Sequence, residues 1–370
     1  MEFRRAVRED AWGLMRLYQR GCADPSDPVL LGVRCLEAIL DSQEELWLVG
    51  ERGSDLVFGL CLRVDPANRL AKIFRLLVEP TWEGAASGLR EAIPQLERYL
   101  AGRVDVVYAT TRTLSLEQHQ TSLQLGFALL GIFPNARGAD RSLLNGLSAL
   151  YLHDALARRR PLARGLHPLV RGIFEICREQ CGLPDEREAR VERHWVAEQG
   201  IPGLELLEAP GFVAGRYERL ASRHQIPMRF YPFLVPNALV TDAMQRIELF
   251  VRLLPGEKFA AILADRIELG VSPVELYDEV SRLLYSRGAG YVEVISDAAD
   301  VEGIDAFAEA GFLPTAYFPA MRLHGSERRD YVILSRAFER PPSGKSLQQS
   351  AHPAYLRYYA EYLRACLAGY

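Results

Sequence analysis

The sequence predicts an α/β chain of mixed, α+β character, made of two like domains, each a mostly antiparallel central sheet flanked by helices. Three observations carry this. Gly126-Phe127-Ala128-Leu129-Leu130-Gly131-Ile132-Phe133-Pro134 is echoed half a chain later by Gly311-Phe312-Leu313-Pro314-Thr315-Ala316-Tyr317-Phe318-Pro319. Leu77-Val78-Glu79-Pro80 has a counterpart in Gly270-Val271-Ser272-Pro273. Each Val-x-Pro ends an apolar run, precedes a helical pattern, and is followed by another apolar run and then Gly-Phe. A repeat this long means two copies of one domain rather than stacked small units.

In the first copy, residues 2–6 read as a short strand, and Asp10 as the N-cap of a helix with Leu14, Leu17 and Tyr18 on one face. A second helix is expected over about 28–41. The runs Leu46–Glu51, Leu56–Val64 and Ala71–Val78 are separated by Gly53-Ser54-Asp55 and Asp65-Pro66-Ala67-Asn68, which makes an antiparallel meander. After Pro80, Leu89, Ile93, Leu96 and Leu100 fall on one helical stripe. Val104–Thr110 is a buried-type strand, 115–125 a helix, and Leu129–Phe133 with Leu147–Leu152 a closing hairpin.

Residues 153–200 read as charged and mostly helical, a connector plus the opening helices of the second copy, punctuated by Pro161, Pro168 and Pro184. Strand-like runs return at 212–216, 228–235, 246–254 and 258–266, with Leu254-Pro255-Gly256-Glu257 a hairpin turn. A helix at 273–286, a strand at 290–295, a helix at 301–310, and strands at 313–321 and 330–335 repeat the first order. The expected domains are therefore 1–152, a connector at 153–200, a second copy at 201–339, and a linker with a Tyr-rich helix at 340–370. In that last helix Tyr355, Tyr358, Tyr359, Tyr362 and Cys366 share a face. The stripe either docks on its own chain or is exchanged across a homodimer.

Composition excludes several classes. The chain is 49% hydrophobic and 25% charged with a net charge of −4, an ordinary globular balance without the basic footprint of a nucleic-acid binder. The dense basic run Arg158-Arg159-Arg160 with Arg164 reads as a solvated linker. Six cysteines make no disulfide framework, and Cys177-x-x-x-Cys181 lacks the further ligands a zinc site needs, so no metal is expected. The charged N-terminus has no apolar core of a signal peptide, and no run is long enough to span a bilayer. A cytoplasmic protein with no membrane partner is the expectation.

The stretch Leu77-Val78-Glu79-Pro80-Thr81-Trp82-Glu83-Gly84-Ala85-Ala86-Ser87-Gly88 is one in which small residues lead into a helix. Their backbone N–H groups are unhindered and lie at the positive end of the helix dipole, an arrangement suited to an anion. Close packing of a helix start on the sheet is the alternative. With the element order and Leu125-Gly126-Phe127, this stretch resembles the GNAT superfamily of acyl-CoA-dependent N-acyltransferases, well over about 1–150 and less well over about 200–337. The resemblance implies that Trp82–Gly88 stands where the family has its Gln/Arg-x-x-Gly-x-Gly/Ala pyrophosphate loop. It implies a cofactor site at Leu77, Val78, Gly84, Ala85, Ala86, Ser87 and Gly88, with the strand ending at Val78 splayed to admit a pantetheine arm.

The sequence departs from that pattern. Glu83 replaces the family's basic or amide residue, Ala86 its first loop glycine, and Ser122 its tyrosine acid. In the second copy Val274-Glu275-Leu276 follows Pro273 directly, without a glycine loop, and Phe307 stands at the tyrosine position. The second copy is therefore expected to be degenerate. Candidate catalytic groups in the first are Glu79 and Glu51 as bases, His119 for its pKa near neutrality, and Tyr108 as a substitute acid. The expected activity is transfer of an acyl group, from acetyl-CoA or another acyl-CoA, to a small-molecule or peptide amine. An inactive acyl-CoA binder or scaffold, and an acyltransferase using an acyl carrier protein, remain open alternatives.

Overall fold

The computed structural model describes residues 2–21, 32–42, 45–53, 55–79, 85–111, 120, 122–134, 144–192, 199–227, 229–339 and 352–368. They fall into two compact units. The first comprises Met1–Thr110, Glu117–Phe127 and Ser148–Ala155; the second comprises Thr111–Leu116, Ala128–Leu147 and Leu156–Tyr370.

The first unit is a mixed sheet of β1 (Glu2–Arg5), β2 (Glu45–Arg52), β3 (Asp55–Asp65), β4 (Leu70–Val78), β5 (Val106–Thr111) and the end of β7 (Leu144–Tyr151), in that spatial order. β1 to β4 are antiparallel and β4 runs parallel to β5. Alternation along the strands sends side chains to two cores. On one face α1 (Ala11–Gly21) and α2 (Val33–Ser42) bury Leu14, Leu17, Tyr18 and Leu36 against Trp47, Val49, Cys61 and Leu77. On the other, α3 (Ala85–Leu100) lays Ile93, Leu96 and Leu100 on Leu48, Leu60, Ala71 and Val107. Asp10 is not an N-cap. It lies in a 3₁₀ turn before α1, where its carboxylate accepts from Val7 N–H at 2.7 Å and from both terminal nitrogens of Arg4.

The second unit repeats the order. β8 (Leu204–Leu207), β9 (Ala238–Asp242), β10 (Ile247–Leu254), β11 (Phe259–Ile267), β12 (Tyr291–Asp297), β14 (Glu327–Ala337) and β13 (Leu313–His324) lie side by side, with β11 parallel to β12 and β6 (Ala128–Pro134) beyond β13. The 8-9-10-11-12-14 run has the strand order of the first unit's 1-2-3-4-5-7. β6 and β13 carry the echoed motif, and their cross-strand pair is Gly131 with Ala316, the equivalent small residues of the two echoes. A Cβ on Gly131 would lie 2.2 Å from the Ala316 Cβ, so each small residue answers the other's crowding.

Helices of the second unit are α4 (Arg171–Cys181), α5 (Pro210–Ser222), α6 (Pro273–Ser286), α7 (Val301–Glu309) and α8 (Pro353–Leu367). Four expectations are overturned here. Residues 212–216 belong to helix α5, because Pro210 opens it at N1 and Val213, Tyr217, Leu220 and Ala221 pack on Leu239 and Phe250. The segment 229–235 is not a strand. Among the described residues of 153–200 only Pro168–Cys181 is helical. There Arg159 is no solvated linker residue: its guanidinium is buried, pairs with Asp330 at 2.5 Å and Glu186 at 2.7 Å, and donates to Tyr317 Oη. Backbone bonds Arg160 N–H to Arg328 O and Arg328 N–H to Arg158 O run this stretch beside β14. α8 packs on α4, β6 and β13, burying Tyr355, Tyr358, Tyr359 and Tyr362, while Cys366 is exposed. The Tyr358 hydroxyl donates to Leu129 O at 3.0 Å and that of Tyr355 to Leu147 O at 3.4 Å. Among the described residues no helix is long and apolar enough to cross a membrane.

Candidate functional site

The site begins with a fork. β4 and β5 pair from Leu70↔Val106 to Ile73↔Ala109 and then part, while β4 continues to Val78. The cause is local. Cys61 pairs with Arg75 but Leu62 pairs with Ile73, so Phe74 is an extra residue in β4. A bulge of this kind bends its strand and raises the twist, turning the far half of β4 away from its parallel neighbour. Leu77 and Val78 lie on that splayed half, and its backbone groups facing away from β3 are those the ladder with β5 no longer uses.

At the open end of the fork, Glu79 N–H donates to Val57 O at 3.0 Å, and the Glu79 carboxylate pairs with Arg20 of α1 at 3.1 Å. Six residues separate Glu79 from Ile73 at the apex, about 20 Å of strand. α3 then begins at Ala85, so Ala85, Ala86, Ser87 and Gly88 form its first turn rather than a preceding loop. Their four N–H groups are those a helix leaves without intrahelical partners, and Gly88 is buried. Gly84, Glu83 and His119 lie outside the described residues.

Next to the apex a polar rung crosses four strands. Glu45 is opposite Arg63, Arg63 opposite Lys72, and Lys72 opposite Tyr108, which places all four on the α1–α2 face. The bulge adds Arg75 to the same face, although it follows Lys72 by an odd interval. Glu45 is 5% exposed and accepts from Arg63 Nε at 2.8 Å, Cys61 Sγ at 3.1 Å, Arg75 at 3.2 Å and Trp47 Nε1 at 3.3 Å. Burial pushes its carboxyl up, but Arg75, the Cys61 thiol and Arg63 outweigh burial and hold it below the usual carboxylate range. Burial, followed by the Glu45 charge, pushes the Cys61 thiol well up. The Arg63 guanidinium stands 4.3 Å from the Phe74 ring centre, and the Lys72 ammonium 5.1 Å from Phe74 and 5.6 Å from Tyr108. These are cation–π distances.

Of the residues singled out in the sequence, the structure brings Tyr108 to the apex, Leu77 and Val78 to the splayed arm, and Ala85–Gly88 to the helix start. Glu79 stands at the opposite end of the fork from Tyr108. Glu51 pairs with Arg4, and Ser122 O accepts from Leu125 and Phe127 N–H in a turn. Sequence reasoning missed Glu45, Arg63, Lys72 and Arg75. One signal was present: charges at 72 and 75 inside an apolar strand break a two-residue alternation and mark an inserted residue.

The second unit has the same fork. β11 and β12 pair from Phe259↔Tyr291 to Ile262↔Val294, and Leu263 is the bulged residue between Ile262 and Ala264. Here residues 229–231 bridge the two arms. Arg229 N–H donates to Leu263 O at 3.0 Å, and its guanidinium pairs with Asp265, donates to Tyr277 Oη at 3.0 Å and lies 4.7 Å from the Phe307 ring. The Tyr231 hydroxyl donates to Glu293 of β12 at 3.2 Å.

No protein-family model and no curated protein matches the sequence. Solved structures similar to part of it include an acetyltransferase of the GNAT family from Streptococcus pneumoniae, at 17% identity over 41% of this chain and 99% of that one, with a TM-score of 0.37. The ribosomal-protein-S18-alanine N-acetyltransferase of Escherichia coli is 17% identical over 41% of this chain and 93% of its own, with a TM-score of 0.33. The ribosomal-protein-alanine N-acetyltransferase of Brucella melitensis is 16% identical over 41% of this chain and 100% of its own, with a TM-score of 0.34.

Proposed function

We propose that the first unit binds an acyl-CoA, acetyl-CoA being the expected donor, and transfers its acyl group to an amine by direct attack within a ternary complex. The fork carries this reading. A pantetheine arm presents amides that need backbone partners, and the splayed Phe74–Val78 supplies them as an added strand would find them. The first turn of α3, with its N–H groups and positive dipole end, suits the diphosphate. Bound so, the donor brings an activated thioester carbonyl to the apex, where a backbone N–H of the splayed strand would stabilise the developing oxyanion.

The amine nitrogen forms a bond to that carbonyl carbon and releases its surplus proton to solvent, the carbon–sulfur bond breaks, and the thiolate takes a proton. Tyr108, at the apex, is the proposed donor of that proton; Glu79, at the open end, is remote from it. In the second unit Arg229 and Tyr231 occupy the equivalent fork, which supports reading that unit as a degenerate copy and predicts one donor per chain.

Calorimetric titration tests this. Acetyl-CoA is expected to bind at about one site per chain, with free CoA and a long-chain acyl-CoA alongside to define the acyl preference. S-acetylpantetheine, which lacks the diphosphate, should bind at least tenfold more weakly. Gly88→Glu, checked for an unchanged circular dichroism spectrum, should erase that difference. Acetyl-CoA binding unaffected by Gly88→Glu would remove the helix start from the site, and no binding of any thioester would refute the proposal.

A further inference from the structure

Two thiols stand together in the second unit. Cys177 and Cys181 are one turn apart on α4, with their Sγ atoms 4.0 Å from each other. Cys177 is fully buried, and half-buried Cys181 is the last residue of the helix before Gly182 in the left-handed conformation. Cys177 Sγ also faces Tyr317 O at 3.6 Å, a long contact from a weak donor. Three chemistries can join a pair of cysteines, and the spacing separates them. A disulfide needs Cβ atoms about 3.5–4.5 Å apart, whereas side chains one helical turn apart hold theirs at about 5–6 Å. Closing that gap would unwind the end of α4. Zinc needs four ligands, and among the described residues no group of three or more His, Cys, Asp or Glu is placed to hold a metal ion. A linear, two-coordinate ion needs only two sulfurs. Two metal–sulfur bonds of about 2.3 Å laid end to end span about 4.6 Å, so each Sγ would move outward by about 0.3 Å. A small rotation about χ1, within one rotamer well, supplies that without moving the backbone.

We propose that Cys177 and Cys181 bind one soft monovalent cation, Cu(I), as a linear bis-thiolate. Thiolate sulfur selects Cu(I) over harder ions. In the exchange two S–H bonds break, two S–Cu bonds form, two protons leave to solvent, and copper stays in the +1 state. The complex carries one negative charge shared by the sulfurs, and half-buried Cys181 keeps its end in reach of water. Burial raises the Cys177 thiol, so it stays protonated until an ion displaces the proton. Asp330, which acts on Cys177 electrostatically, is held by Arg159 and the Tyr317 hydroxyl and is no third ligand.

The test uses the full-length protein, reduced and without oxygen. Cu(I) is titrated against the chromophoric chelator bathocuproine disulfonate, and X-ray absorption reads the neighbours of the copper. The chain should withhold one Cu(I) from the chelator, with two sulfur neighbours at about 2.2–2.3 Å and none of nitrogen or oxygen. Cys177→Ala and Cys181→Ser should each lower the retained copper at least tenfold, while the triple variant Cys22→Ser, Cys35→Ser, Cys366→Ser retains it. A buried substitution can unfold a chain, so a wild-type measurement stands beside these. One equivalent of Cu(I) should protect Cys181 from iodoacetamide, read by peptide mass spectrometry. No retained copper, retention unchanged in both single variants, or full labelling of Cys181 in the loaded protein would overturn the proposal. So would three or more neighbours around the ion, copper shared by two chains in a dimer seen by gel filtration, or zinc held as tightly.

Discussion

Removing the Glu45 carboxylate is the sharpest perturbation of the rung. In Glu45→Ala, Arg63 loses a partner but is 40% exposed and can turn to water, so its share is under about 1 kcal/mol. Arg75, at 13% side-chain exposure, loses the carboxylate it pairs with at 3.2 Å, and the Trp47 Nε1 and Cys61 Sγ donors lose their acceptor. Breaking one side of a buried pair costs about 3–5 kcal/mol, with about 1 kcal/mol more for each stranded donor. Partial solvation of Arg75 brings the expectation to about 3 kcal/mol, on the order of a 10 °C fall in the first unit's melting transition. Scanning calorimetry with hydrogen exchange on β2–β4 reads it.

Adding Arg75→Met should restore about half or more of the loss, because the buried cation that lost its carboxylate is gone as well. The effect has a pH signature. Glu45 titrates below its unfolded value of about 4.3, so its contribution is complete above that pH and disappears as pH falls through the lower, folded pKa. The wild type and Glu45→Ala should therefore converge in stability in that acid range. A loss under about 1 kcal/mol at pH 7, or a double variant no better than the single one, would refute the account of a buried, cation-saturated carboxylate.

Two further outcomes follow from burial and hydrogen bonding. Burial raises the Cys61 and Cys177 thiols well above their ordinary range, so a thiol reagent at neutral pH should label exposed Cys35 and Cys366 in the native protein and reach Cys61 and Cys177 only on unfolding; peptide mass spectrometry distinguishes them. Tyr358→Phe removes the 3.0 Å bond to Leu129 O from a fully buried position and should destabilise the second unit by about 1–2 kcal/mol in urea unfolding.

Much of the architecture was legible because turn residues and period-two runs are local signals. The meander of β2, β3 and β4 and the helix–strand order after Val271 stand where alternation and Pro or Gly placed them. What was not legible depends on distant partners. Residues 212–216 are apolar enough for a strand, and only packing on Leu239 and Phe250 makes them helix. Arg159 resembles any surface arginine until Asp330 and Glu186 close over it. The rung was hidden for a different reason. Its members belong to four strands, and the face each residue takes depends on one inserted residue, Phe74, whose effect appears only when β3 and β4 are in register.

The placement of β6 bears on how this chain is made. Its hydrogen-bonded neighbour β13 is synthesised far later, and the Tyr358 hydroxyl that satisfies Leu129 O lies 229 residues downstream. The strands β1 to β4 can pair soon after they leave the ribosome, since their partners are close in sequence. β6 cannot on the side away from β7. That second edge must wait, along a strand of seven buried residues, until β13 has emerged. Its motif ends in Pro134, and Gly131 interrupts its apolar run. Both features discourage the wrong edge from joining it during that interval.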